Sequence, residues 1–347
     1  MKKLICMAVL ILCLAPAAQA SELTAPQLPG EAAERMPEQI QSFGEGLLEI
    51  MEGALLHLRP DLKEACRVSL TVIAAALLLS LLQTIPSRVG WTADLTGAVV
   101  IATTLLQSAN SMIHLASDTI QQLSDYGKLL FPVMTSALAA QGGVGASAAL
   151  YAGTALFDAV LGSLISGALM PGVYLFLAMA AANSAVGEDI LKKLRDLLKS
   201  GVSWCLKILL TVFTTYMSIT GVVSGATDAA ALKAAKVTIS SVVPVVGGIL
   251  SDASEAVLVG AGVMKSAAGI YGILAVLAVF LEPFTRIGLH YLILKATAAI
   301  ASIFSSGRIC GLIEDFSSAM GLLLAMTGAV CLMLLVSTVC FLKGAGL

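Results

Sequence analysis

Charge is scarce in this 347-residue sequence: Asp, Glu, Lys and Arg together make up 12% of it, and the formal net charge is −2. A soluble domain carries roughly 25% charged residues, so a soluble globular reading is excluded, and nothing in the charge suggests nucleic acid. Aromatics are sparse at 5% and there are only 3 His, few for a chain that must pack large rings against a substrate. The seven Cys form no C-x-x-C and no Cys/His cluster with metal spacing. Cys205, Cys331 and Cys340 sit inside apolar runs as small buried hydrophobes, and no cofactor is implied. H-E-x-x-H and the G-x-S-x-G nucleophile elbow are both absent. Gly260–Ser266 falls short of a P-loop, because no Gly precedes Lys265 and no strand leads into it. An enzyme is not indicated.

What is there is hydrophobic: 58% of the residues are apolar and the mean hydropathy is +0.94. The composition predicts an all-α polytopic membrane protein. Ser240–Asp252, S-S-V-V-P-V-V-G-G-I-L-S-D, is apolar enough for a bilayer but too short to span one, which takes about 20 residues. Pro244 removes an N–H, and Gly247 and Gly248 loosen the backbone. The stretch reads either as a broken, re-entrant element lining a path or as a kinked helix packed through its small residues. An earlier run holds Pro132 followed by Gly142 and Gly143, and paired interruptions of this kind point to midplane sites in transporters.

In chain order, Met1–Ala20 has Lys2-Lys3, an apolar centre and Ala18-Gln19-Ala20, the pattern of a secretory signal peptide. Residues 21–67 are acidic and amphipathic, with a helix expected from Pro37 to Leu58, and are expected outside the cytoplasm. Residues 68–347 form the membrane domain. Seven spans are expected there: Val68–Ile85, Leu95–Leu115, Met170–Val186, Val202–Val223, Ala267–Leu281, Arg286–Phe304 and Ala319–Leu342. Leu129–Leu169 is either a hairpin or re-entrant, and Glu282-Pro283 is expected to turn. Glu188–Lys199 reads as an in-plane interfacial helix whose Lys192, Lys193 and Arg195 mark the cytoplasmic side. They form either a docking surface for a cytoplasmic partner or a membrane anchor. On this topology the mature N-terminus is extracytoplasmic and the C-terminus cytoplasmic.

Four charges fall at membrane depth: Asp158, Glu282, Arg286 and Lys295. A Lys at the centre of a span costs roughly 2.5–3.5 kcal/mol, while each Leu or Ile returns only about 0.3–0.6 kcal/mol. Lys295 is therefore expected to face the bundle interior, to pair, or to line a wet cavity, with Asp158 and Glu282 as available partners. Glu282, Arg286 and His290 share a face if the helix continues through Pro283. They then form either a charged path or an interfacial salt bridge.

Pro244–Asp252 (P-V-V-G-G-I-L-S-D), the preceding Lys233–Ser240 and the earlier Phe131–Gly143 resemble the stage III sporulation protein AE family of endospore-forming bacteria. The resemblance covers most of the chain and supplies no catalytic residues. It implies a non-enzymatic component of a channel or secretion-like apparatus between mother cell and forespore, in the mother-cell membrane around the forespore, supporting late forespore gene expression. The partners it implies are other membrane proteins of that complex and a separate cytoplasmic secretion-type ATPase. The alternative is an autonomous secondary transporter with a midplane site at the broken segments.

Overall fold

The computed structural model describes residues 36, 43–83, 90–140, 144–187, 189–219, 267–305 and 307–344. The expected signal peptide lies outside these residues, as do Gly142, Gly143, Pro244, Gly247 and Gly248. The described elements are all helical: α1 (Phe43–Gln83), α2 (Gly90–Ala140), α3 (Val144–Leu164), α4 (Met170–Val186), α5 (Asp189–Ile219), α6 (Ala267–Ala301) and α7 (Gly307–Gly344). A π-helical turn, Ile165–Leu169, joins α3 to α4 without a break. Counting that joined rod once, six helices are long and apolar enough to cross a membrane.

The difference from seven spans lies at Pro283. Ala267–Leu281 and Arg286–Phe304 were expected as two spans with a turn between them, but α6 runs straight through. Pro60 and Pro132 likewise sit inside α1 and α2 without ending them. A proline in a helix interior costs about 3 kcal/mol. In α6 the packing outweighs that cost, since every residue from Gly272 to Phe280 is buried. The amphipathic segment before Arg67 and the span after it are one helix, α1. The basic segment Glu188–Lys199 is no separate in-plane helix, because α5 continues it into the apolar stretch beyond. At 51 residues, α2 measures about 77 Å, far more than the roughly 30 Å of a hydrocarbon core.

The last helix is the centre of the bundle. Every residue from Ala319 to Leu335 is buried, as expected of a helix that is apolar all round. Helices α2, α3, α4, α5 and α6 pack around α7, and α1 covers the outer side of α6 and α2. On α1 a stripe of Ile50, Ala54, Ala65, Val72, Ala76 and Leu79 is buried, at spacings that keep one face inward. The small residues in it let helices approach closely.

α1 and α6 run parallel. Going along them, Gly46 lies against Leu274, Asp61 meets Arg286, and the hydroxyls of Ser69 and Thr297 hydrogen-bond. Gly272 of α6 in turn faces Thr338 of α7. The first turns of α1 and the last turns of α7 therefore share one end of the bundle.

Candidate functional site

On α2, Ser117, Gln121, Ser124 and Lys128 recur at i, i+4, i+7 and i+11, which stacks them on one helical face. That face looks onto α3 across a groove of about 510 Å³, where Asp158 meets it. Asp158 is 6% exposed. The Ser124 hydroxyl donates to its Oδ2 at 2.9 Å. Lys128 lies in the same groove, but its ammonium pairs with Asp125 at 2.7 Å, and the Gln121 amide donates to that same carboxylate at 3.0 Å. The π-helical turn borders the groove through Ile165 and Ser166, and the Ser166 hydroxyl donates to the Gly162 carbonyl at 2.8 Å. Such turns recur at functional sites because they widen a helix locally.

A second polar locus joins α1 and α6. Arg286 Nη2 donates to Asp61 Oδ1 at 2.9 Å, Nε lies 2.8 Å from Oδ2, and Nη1 lies 3.9 Å from Glu282 Oε1. Glu49, His57 and Glu282 line a cavity of about 210 Å³ beside the pair. Because α6 continues through Pro283, Glu282, Arg286 and His290 do share a face. His290 is buried, its Nδ1 3.0 Å from the Arg286 carbonyl.

Lys295 joins neither locus. It sits on the outside of α6, 3.7 Å from Glu314 of α7, with both side chains more than half exposed. The structure therefore pairs it with Glu314 and not with Asp158 or Glu282. It stands six residues before the end of α6, near enough for its ammonium to reach the interface.

In the basic cluster of α5, Lys192 and Lys193 are exposed, whereas Arg195 turns inward. Its Nη1 donates to Asp315 Oδ2 of α7 at 2.7 Å, with both side chains 12% exposed. Lys199 also turns toward α7 and donates to the Ser318 hydroxyl at 3.0 Å. The apolar residues Ile190, Leu194 and Leu197 point outward instead. Of the residues expected to line a path, Pro132 is the one described. It is exposed and lies outside the groove, which its neighbour Phe131 lines.

Sequence reasoning singled out Asp158, Glu282 and Arg286 but missed Ser124 and Asp61. The signal for Ser124 was the polar recurrence on α2. Asp61 carried none, because it looked like one more charge in an acidic segment.

The family model described as stage III sporulation protein AE matches residues 33–345. Stage III sporulation protein AE of Bacillus subtilis (strain 168) is 25% identical over 240 residues, which is 69% of this chain and 60% of that relative. The match thus spans less than two thirds of the relative's length. No solved structure matches the chain.

Proposed function

The chain belongs to the stage III sporulation protein AE family, and on that premise we propose that it is a non-enzymatic membrane component of a multi-protein channel or secretion-like apparatus between mother cell and forespore. Its role there is to support late forespore gene expression. The observation that carries the component reading is α7. A helix buried at every residue from Ala319 to Leu335, with five others packed on it, fills the axis where a single-chain pore would run. A conduit in this design lies between copies or between partners. Energy comes from elsewhere, which fits a separate cytoplasmic secretion-type ATPase.

We place the start of α5 on the cytoplasmic face. Lys192, Lys193 and Arg308 gather toward that end, while Glu45, Glu49 and Glu52 mark the other. This follows the positive-inside bias. With the six described helices as crossings, the end of α7 shares the outer side with the start of α1, in contrast to the cytoplasmic C-terminus that seven spans implied. A reporter active only in the cytoplasm, fused after Leu347, should stay silent; activity there would reverse the orientation.

Crosslinking in sporulating cells, followed by isolation in mild detergent, tests the component reading. Recovery with a secretion-type ATPase and ring-forming membrane proteins is expected. Recovery alone or as a homo-oligomer would overturn it and favour the autonomous transporter, to which the Asp158 groove would give a site. Gly247→Leu with Gly248→Leu should abolish sporulation at unchanged protein level if that stretch lines a path. Wild-type sporulation would remove it from any path.

A further inference from the structure

We propose that the groove between α2 and α3 is a site for a small monovalent cation, held by the Asp158 carboxylate with the Ser124 hydroxyl beside it. Asp158 is 6% exposed and, among the described residues, accepts one hydrogen bond, from the neutral Ser124. The nearest ammonium, Lys128, is already committed to Asp125. A carboxylate so enclosed, in a helix apolar enough to cross a membrane, must lose its charge or gain a counter-ion. The space for a counter-ion is present: about 510 Å³, enough for an ion that keeps part of its water shell.

The remaining polar lining is rich in oxygen, with the hydroxyls of Ser117, Ser163 and Ser166 on the same groove. Uncharged oxygens complete the coordination of a hard cation without adding charge. Asp158, Asp125 and Lys128 sum to a net charge of −1, which one monovalent ion neutralises. A divalent ion would leave an excess positive charge in an apolar setting. Anions are disfavoured by the same sum.

The test uses the full-length protein in detergent, with its unfolding temperature measured at pH 7.5 in sodium, potassium and choline chloride at equal ionic strength. Choline fits the space, but its nitrogen is shielded by methyl groups, so it cannot be coordinated by the carboxylate and Ser124 together as a bare metal cation is. Sodium or potassium should raise the unfolding temperature saturably, by several degrees over choline. Asp158→Asn should abolish the response, and Ser124→Ala should raise the half-saturating concentration about tenfold. Asp125→Asn frees the Lys128 ammonium to neutralise Asp158 in place of the ion, and should weaken the response. Equal temperatures in all three salts would mean a neutral carboxyl and overturn the proposal, as would a response that survives Asp158→Asn. If Asp158→Asn does not fold, an unchanged half-saturation in Ser124→Ala overturns it equally.

Discussion

Arg286 of α6 reaches across to Asp61 of α1 with Nη2 2.9 Å from Oδ1, pinning the register of two helices that run side by side in the same direction. Neither partner stands in a fully dry site: Asp61 is 12% exposed and Arg286 33%. Removing one partner strands the other, which costs about 3–5 kcal/mol at a fully buried pair and less where water reaches. Asp61→Ala is expected to destabilise the protein by about 2 kcal/mol, read as a lowered unfolding temperature in detergent. Asp61→Leu combined with Arg286→Met should recover most of the loss. Strictly additive effects in that double-mutant cycle would show that the pair is not coupled.

Arg195 and its neighbours should separate folding from docking. Arg195→Ala leaves Asp315 enclosed without its guanidinium, and a loss of about 3 kcal/mol is expected. Lys192→Glu with Lys193→Glu changes only exposed positions and should move stability by no more than about 0.5 kcal/mol. If these lysines receive a cytoplasmic partner, co-purification of that partner should fail in the double variant. Undiminished co-purification would remove docking from this face.

Gly187 closes α4 with φ +78°, its N–H bonded to the Asn183 carbonyl at 2.8 Å. A side chain there meets two obstacles, the left-handed backbone and the Arg308 guanidinium, whose Cζ would lie 2.8 Å from the new Cβ. Gly187→Ala is expected to cost about 1–2 kcal/mol. Adding Arg308→Ala should return only the part due to crowding. Full recovery would mean that the backbone bears no strain.

Cysteine accessibility checks the layering of the bundle. Cys66 is exposed on α1, whereas Cys331 and Cys340 are buried on α7. A membrane-permeant maleimide applied to the native protein, with mass spectrometry of the adducts, should modify Cys66 first. Cys331 and Cys340 should remain protected until the bundle unfolds. Early labelling of Cys331 would contradict the central position of α7.

The helical class and most spans were legible in hydropathy alone, because long apolar runs leave little else for a backbone that must satisfy itself. Proline misled. Pro283 was expected to turn the chain, but the cost of its missing N–H is fixed while burial grows with every apolar neighbour. In α6 the neighbours win. Lys295 was expected to face the interior, to pair or to line a wet cavity, with Asp158 and Glu282 as partners. It pairs, but outside and with Glu314, on a helix not yet placed beside it. Asp158 was legible as a costly residue. The groove around it was not, since Ser124 stands 34 residues away and only the α2–α3 hairpin brings the two together. The outward turn of Ile190, Leu194 and Leu197 was equally hidden, because a hydrophobic stripe does not say whether lipid or protein covers it.

The burial of α7 bears on biosynthesis. Chains are made from the N-terminus at about 5–20 residues per second, so α7 leaves the ribosome after all five of the helices that embrace it. Until it arrives, α2 to α6 have no centre to close upon, and their inward faces stay open to lipid, chaperones and proteases for several seconds after insertion. Synthesis of α7 thus acts as a checkpoint. A frameshift or stop codon just before α7 removes the centre of the bundle, and the product, though it holds the other six helices, should be cleared as fast as a far shorter one.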